Sequence, residues 1–351
     1  MKGNQEARKK MNNIIDEIRN YKSISIIGMD KNVGKTTTLN YIIGKARGKL
    51  TLGLTSIGRD GEEEDIVTST AKPRIYVEKG SIIATAKSCF LDSDITKEIL
   101  KTTSINTSMG EIIIFRCISD GYIQIAGPSQ NYYIEKIYRH LEELGSDLIL
   151  VDGALSRKSL ASPKVTQATI LCTGATLSNS QQKVVQMTSH TVNLLSIEKE
   201  KERQILDISK DIINTCKVGI IDKHKKVKKL DVLTSLDASK EIIESLDKFS
   251  EYIVINGILS DSLLEYIMKS TDICSQITFL VEDGTKLFIS EETLNKLIKK
   301  GAKIKVINKI NIIGISVNPK SPYGYEFDKD KFLNMLREKI NLPVFDVVGG
   351  G

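Results

Sequence analysis

The residues from Ser25 to Asn40, SIIGMDKNVGKTTTLN, have types and a spacing that suit phosphate binding. An apolar run leads into a glycine-bearing turn, and Gly34, Lys35 and Thr36 then open a segment with helical character. Backbone N–H groups in such a turn, together with the positive end of a helix, match the concentrated negative charge of phosphates without steric bulk. The stretch therefore predicts the phosphate-binding loop of a nucleotide site.

Each residue type in this loop has a predicted role. Gly34 lets the backbone approach the phosphates, Lys35 supplies a positive charge for the β- and γ-phosphate oxygens, and Thr36 supplies a hydroxyl ligand for Mg²⁺. Thr37 and Thr38 are expected on the side of the α-phosphate. A chance Gly-Lys-Thr at a helix start is the alternative, which the preceding strand and following helix disfavour. The predicted nucleotide-binding residues are Gly28, Asp30, Lys31, Asn32, Val33, Gly34, Lys35, Thr36 and Thr37.

The loop departs from the usual spacing, because Gly28 and Gly34 enclose five residues instead of four. Counted back from Gly34, the usual first loop position holds Met29. The string resembles the G-x-D-x-x-V-G-K-T loop of dethiobiotin synthetases at Gly28, Asp30, Val33, Gly34, Lys35 and Thr36. This resemblance implies an α/β P-loop NTPase with a mostly parallel sheet flanked by helices. The related partition ATPases carry an extra lysine where this chain has Asp30, with Lys31 one position later, so a lysine acting across a dimer is not expected.

A companion acidic residue is expected at the end of a buried strand. Asp152 ends the apolar run LILVDG and is well placed to hold Mg²⁺ directly or through water, and we predict catalytic roles for Asp152 and Lys35. It stands where dethiobiotin synthetases have a Glu-Gly-Ala segment, although an Asp-Gly after a strand is often only a turn. The acidic cluster from Gly58 to Asp65 contains Asp60, a candidate further metal ligand, but a solvated loop is the simpler interpretation. Arg59 and Arg157 are weaker candidates for phosphate contacts.

Strand-like and helix-like segments alternate along the chain, which favours an α/β fold. An amphipathic helix is predicted over residues 4–21. Further predictions are strands at 23–28, 50–56, 81–86, 147–153 and 168–174, helices at 35–46, 93–103, 130–144 and 180–195, and a hairpin that pairs 111–118 with 122–126. Strands are also predicted at 218–221, 252–255, 277–281, 304–307 and 312–317. We expect a nucleotide-binding domain over residues 1–200 and a second α/β region over 215–351, with one extended sheet as the alternative.

Composition excludes several classes of protein. The five cysteines and three histidines are scattered, which argues against disulfides and a transition-metal centre. No apolar run is long enough to cross a bilayer, and the charged start does not resemble a signal peptide, so we expect a cytoplasmic protein without a membrane partner. The net charge is +6, partly from KHKKVKK at Lys223–Lys229. Because no aromatic residues are interleaved there for base stacking, we expect no nucleic-acid partner.

Longer strings spread from residue 55 to 328 resemble the P-loop subunits of lysine 5,6-aminomutase reactivating factors. These strings are TSIGRDGEEED, TSINTSMGEIII, SDGYIQIAGPS, LILVDGALSRKSLASP and NPKSPYGYEFD. The resemblance implies an accessory protein of lysine fermentation that uses ATP and Mg²⁺ to promote exchange of damaged cobalamin. Its implied partners are a second reactivase subunit and an adenosylcobalamin-dependent aminomutase.

Two other interpretations stay open. The first is a dethiobiotin synthetase-like ligase or kinase that acts on a small molecule, although Thr55-Ser56-Ile57 replaces the lysine-proline that handles the carbamate in those enzymes. The second is a nucleotide-binding scaffold without turnover. The sequence leaves ATP and GTP undistinguished, because no N/T-K-x-D-type base-reading motif is evident.

Overall fold

The computed structural model describes residues 17–57, 74–154, 162, 165–235 and 238–347. The chain divides into two compact units, of which unit 1 comprises residues 1–189 and 311–351 and unit 2 comprises residues 190–310. Most of the helix predicted over residues 4–21 lies outside the described residues.

The strands and helices are numbered here in chain order. The strands are β1 (Ser23–Gly28), β2 (Leu52–Ser56), β3 (Ile75–Val77), β4 (Ile82–Ala86), β5 (Lys97–Thr107), β6 (Gly110–Cys117), β7 (Gly121–Ile123), β8 (Leu148–Ala154), β9 (Ala168–Gly174), β10 (Val218–Asp222), β11 (Val227–Leu230), β12 (Ser250–Ile255), β13 (Leu259–Ser260), β14 (Thr278–Val281), β15 (Leu287–Phe288), β16 (Lys303–Val306), β17 (Ile312–Asn318) and β18 (Val344–Phe345). The α-helices are α1 (Lys35–Ala46), α2 (Lys87–Leu91), α3 (Asn131–Glu143), α4 (Gln181–Leu195), α5 (Arg203–Thr215), α6 (Ser239–Ser245), α7 (Asp261–Ser270), α8 (Glu291–Lys299) and α9 (Lys329–Lys339).

Unit 1 is built on a nine-stranded sheet in the order β18-β17-β9-β1-β8-β2-β4-β6-β5. The strands from β18 to β4 pair in parallel, whereas β6 is antiparallel to both β4 and β5. Strands β1 and β9 are buried along their whole length, as expected for central strands of a parallel sheet with both faces covered. The predicted α/β fold with a mostly parallel sheet is therefore confirmed.

Helix α1 covers one face of this sheet and fixes the path of the loop before it. Its apolar stripe Leu39, Ile42 and Ile43 packs in one core with Ile24 and Ile26 of β1. These residues recur at helical spacing in α1 and at alternate positions in β1, so each element presents one apolar face to the other. The loop between β1 and α1 is consequently held at both ends by buried structure.

Two sequence predictions in unit 1 are wrong. The segment predicted as a helix over 93–103 contributes to strand β5, because its β-branched residues pair with β6 and tertiary pairing outweighs the local helical pattern. The predicted hairpin does not form either, since β6 pairs with β4 and β5 while β7 pairs with β3. Asp120, which lies between the two segments of the predicted hairpin, accepts hydrogen bonds from the Lys79 N–H (2.8 Å) and the Tyr76 hydroxyl (3.0 Å).

Unit 2 contains a five-stranded sheet in the order β11-β10-β12-β14-β16. Strands β12, β14 and β16 are parallel, and β10 is antiparallel to both of its neighbours. Helix α5 packs on one face through Ile205 and Ile212, and α7 packs in a separate core through Leu263 and Leu264. None of the described helices combines the length and the apolar character that a membrane span requires.

The division of the chain differs from the predicted one. Residues 311–351 were expected in the C-terminal region, but they belong to unit 1, because β17 pairs in parallel with β9 and β18 with β17. The second α/β unit is therefore an insertion after β9 and part of α4, and the chain returns to the first sheet at β17.

Gly127 provides a test of how the end of β2 is packed. A Cβ atom at this position would lie 1.7 Å from the Ser56 carbonyl oxygen, so Gly127→Ala must displace backbone. We expect a loss of at least about 2 kcal/mol in the free energy of unfolding, measured with urea. The matched control is Gly44→Ala in α1, where no atom lies within 4 Å of the added Cβ. It should gain about 0.5–1 kcal/mol, and equal stabilities of the two variants would contradict this packing.

Candidate phosphate-binding site

The carboxyl ends of five parallel strands meet at one edge of the unit 1 sheet. Gly28, the last residue of β1, is in register with Ala154 at the end of β8 and with Cys172 near the end of β9. Strand β2 joins β8 on one side and β17 joins β9 on the other, both in parallel. In open α/β sheets this is the edge where ligands bind, and the loop between β1 and α1 lies there.

The loop has a conformation that exposes backbone donors. Asn32 (φ 58°) and Gly34 (φ 89°) are both left-handed, and Gly34 is the residue that precedes the first turn of α1. Within the described part of the chain, the backbone N–H groups of residues 32–37 donate no hydrogen bond. A run of six unused donors at the start of a twelve-residue helix is an arrangement suited to an anion.

The side chain of Lys35 folds back over the loop. Its ammonium group donates to the Asp30 carbonyl oxygen at 3.0 Å, so the charge lies beside the loop backbone. Its stem passes so close to Gly28 that a Cβ there would lie 2.7 Å from both Cγ and Cδ of Lys35. A side chain at position 28 would displace the lysine, which explains a glycine at this position.

Asp152 lies on the side of the sheet that α1 covers. It continues the alternation of Leu148 and Leu150, which pack in the same core as Leu39, and it is in register with Ile26. Only 7 % of the residue is exposed. The end of β2 is hydrogen-bonded to the backbone of Asp152, because the Ile57 N–H and the Ser56 hydroxyl donate to the Asp152 carbonyl oxygen at 3.1 and 3.3 Å.

Lys35 and Asp152 both lie close enough to Cys172 to affect its pKa. Burial raises the pKa of the Cys172 thiol to about 11, while the positive charge of Lys35 lowers that pKa and the negative charge of Asp152 raises it. Both charges therefore act on one buried thiol at the strand edge. No group of three or more His, Cys, Asp and Glu side chains within the described ranges forms a metal cluster. A single carboxylate plus ligand phosphates is a common way of holding Mg²⁺, and this edge supplies the carboxylate.

The other predicted site residues take different positions. Asp30 and Lys31 are exposed, and the Asp30 carboxylate accepts the Lys31 N–H at 2.7 Å. Thr36 is half-buried and Thr37 is exposed in the first turn of α1. Val33 is fully buried in the core, so only its backbone faces the loop.

Three of the residues considered in the sequence lie outside the described residues. They are Asp60, Arg59 and Arg157.

Thr38 was expected near the α-phosphate, and this expectation is wrong. Its side chain is fully buried, and its hydroxyl lies 2.7 Å from the Ser316 hydroxyl and donates to the Gly34 carbonyl at 2.9 Å. The Cys172 thiol donates to the Thr38 hydroxyl oxygen at 3.5 Å. Thr38 therefore joins α1 to β9 and β17.

Two further residues, neither of them predicted from the sequence, contact the loop. Asn318, the last residue of β17, donates its side-chain amide to the Asn32 carbonyl at 2.9 Å. The Thr176 hydroxyl, just after β9, donates to the same carbonyl at 3.3 Å. Both are polar residues at or just after the end of a predicted strand, which is the signal that could have indicated them. The sequence did not show which strands are neighbours, so it could not place these residues beside the loop.

The chain was compared with known proteins. No protein-family model matches it. A search of curated proteins finds no match either.

The environment of Cys172 leads to a prediction about thiol reactivity. At pH 8 a pKa of about 11 leaves about one thiolate in a thousand, and full burial excludes reagents. We expect Cys172 to resist iodoacetamide in the folded protein and to react after unfolding in urea, as measured by mass spectrometry of its peptide. Cys216, which is half-exposed, serves as the internal control and should react in the native state. Equal rates at both cysteines in the folded protein would refute the buried environment.

Proposed function

We propose that the loop from Gly28 to Thr36 binds the phosphates of a nucleoside triphosphate with Mg²⁺, and that the chain is a P-loop NTPase. The observation that carries this proposal is the run of six unused backbone N–H groups at residues 32–37, beside the ammonium group of Lys35. Phosphate oxygens would accept from these donors, and Lys35 would exchange its bond to the Asp30 carbonyl for a stronger one to a charged oxygen. Thr36 and Asp152 would hold Mg²⁺.

We further propose that the nucleotide drives an accessory protein for an adenosylcobalamin-dependent aminomutase of the lysine 5,6-aminomutase type. The support for this client is the resemblance of five strings spread over residues 55–328. A radical enzyme that has lost its adenosyl group retains damaged cobalamin, and it must open to exchange it. A nucleotide-bound partner that binds the open enzyme more tightly than the closed one shifts that equilibrium.

The dethiobiotin synthetase-like ligase remains the second candidate, because its loop pattern matches. In those enzymes a lysine-proline at the second strand handles the carbamate, and this chain has Thr55-Ser56-Ile57 in its place. The described residues there, Thr55, Ser56 and Ile57, are uncharged and at most 3 % exposed. The segment at Gly127 also packs directly on the Ser56 carbonyl. These contacts favour the accessory protein over the ligase.

Substitution of Lys35 tests the nucleotide site. Lys35→Ala removes the ammonium group that donates to the loop backbone at the Asp30 carbonyl. We expect at least a tenfold loss of affinity for Mg²⁺-ATP, as for one lost charge-assisted contact. ATP hydrolysis and rescue of the inactivated aminomutase should be abolished with it. The control is Lys49→Ala, an exposed lysine in the turn after α1. Rescue that survives in Lys35→Ala would exclude an ATP-driven role.

A substrate screen separates the two candidates. An accessory protein should release ADP slowly when alone and faster with the aminomutase, because the client selects the conformation that turns over. A ligase should instead consume ATP in proportion to an added diamine or carboxylate. We expect no stimulation by such small molecules in an assay of ADP release, and stoichiometric consumption of one of them would favour the ligase.

A further inference from the structure

The carbonyl group of Asn32 is held from outside the loop by two donors. The side-chain amide of Asn318 donates to it at 2.9 Å and the Thr176 hydroxyl at 3.3 Å. Asn318 is the last residue of β17 and Thr176 lies just after β9, and these two strands are neighbours that pair in parallel. These bonds fasten the loop to the sheet at the Asn32 peptide group, in addition to the hydrogen bond from the Met29 N–H to the Cys172 carbonyl at 2.9 Å.

This peptide group sets the direction of a neighbouring donor. In a planar trans peptide the C=O and N–H bonds point in opposite directions. Because the Asn32 carbonyl points towards Asn318 and Thr176, the Val33 N–H points away from them. Asn32 is left-handed, with φ 58°, a conformation that is uncommon for residues other than glycine but one in which asparagine is enriched. The two hydrogen bonds to its carbonyl stabilise this conformation.

The backbone around Asn318 is packed closely enough to make this arrangement specific. A Cβ on Gly34 would lie 3.3 Å from the Asn318 Cβ. A Cβ on Gly174 would lie 2.5 Å from the Asn318 carbonyl oxygen. Both glycines therefore let the end of β17 approach the loop and the end of β9.

The same side chain also contacts the segment that follows β17. The Asn318 Oδ1 accepts the Lys320 N–H at 3.1 Å. The segment from Pro319 to Phe327 is closed by its own hydrogen bond, from the Phe327 N–H to the Pro319 carbonyl (3.0 Å), and the Tyr325 hydroxyl donates to the Ala175 carbonyl at 2.7 Å. One amide group thus joins the phosphate loop on its nitrogen side and the 319–328 segment on its oxygen side.

We propose that Asn318 is a positioning residue that keeps the loop in its anion-binding shape and couples phosphate binding to the segment 319–328. The inference rests on the proposed function, because it concerns the same phosphate site. Asn318 acts through the Asn32 peptide and does not itself contact the phosphates. Occupation of the loop stiffens residues 319–328, and loss of the amide breaks this connection.

The test uses a ligand that has phosphates but no base. Binding of inorganic tripolyphosphate with Mg²⁺ and of Mg²⁺-ATP is measured by calorimetry for the full chain and for Asn318→Leu, a neutral side chain of similar size. Asn318→Ala provides a smaller replacement in case leucine disturbs packing. We expect both ligands to bind about tenfold more weakly to each variant, as for one lost hydrogen bond. A loss for ATP alone would mean that Asn318 touches the nucleoside directly, and it would overturn the positioning role.

A second variant tests the peptide group independently of Asn318. Thr176→Val removes the other donor to the Asn32 carbonyl and leaves the Asn318 side chain in place. It should also weaken tripolyphosphate binding, by a smaller factor because its bond is longer. The control is Asn311→Ala, just before β17, whose amide donates to the Gln167 carbonyl instead of to the loop. Wild-type affinity in both Asn318 variants would overturn this inference but not the proposed function. A wild-type chain that binds neither ligand would overturn the proposed function, on which the inference rests.

Hydrogen exchange tests the coupling. In the wild-type chain, tripolyphosphate should slow amide exchange in residues 319–328. In Asn318→Leu, at ligand concentrations that restore full occupancy, this protection should be lost while protection of residues 29–36 remains. Unchanged exchange in the wild-type segment, or protection that persists in the variant, would show that Asn318 does not couple the two.

Discussion

Two parallel ladders flank the strand Ser23–Gly28, and they determine where the following loop must lie. With β8 on one side and β9 on the other, the end of β1 is enclosed by two strand ends that point the same way. Both ends of the loop are held, one by these ladders and the other by the core that α1 shares with β1. The unused N–H groups of residues 32–37 are therefore grouped at one place by the fold itself, and donors that are grouped in advance bind charge more strongly than donors that must first be ordered.

Among the described residues, two charges of opposite sign, on Lys35 and Asp152, act on the buried Cys172 at this edge. Lys35 adds one positive charge to the donors of the loop, and Asp152 adds one negative charge within a largely buried strand. An anion of high charge gains from the first, and a divalent cation that accompanies it gains from the second. Cys172, Thr38 and Ser316 are neutral and joined by hydrogen bonds through the Thr38 hydroxyl, so these three residues contribute shape without charge.

The part of the site that is continuous in sequence could be predicted, and the part assembled by pairing could not. The bounds of β1 and α1 follow from local apolar periodicity and a glycine-bearing turn, and both predictions are confirmed. Asp152 could be recognised at the end of an apolar run because that run is a local feature. The helix expected over 93–103 is a strand because its pairing with β6 outweighs its local pattern. Strand β17 was recognised, yet its neighbour β9 precedes the whole of unit 2, so Asn318 could not be placed beside the loop.

The contact between Asn32 and Asn318 joins residues separated by 286 positions. At ordinary rates of synthesis the ribosome needs on the order of tens of seconds to add that many residues. A nascent chain thus possesses the glycine-rich loop and α1 long before it possesses the strand that fastens them. Contacts of such long range form late, since closing a long loop has a cost in entropy that local structure avoids. The contact that fastens the loop to β17 can consequently form only after unit 2 has been synthesised, so the inserted unit exists before the Asn32 peptide group is held in place.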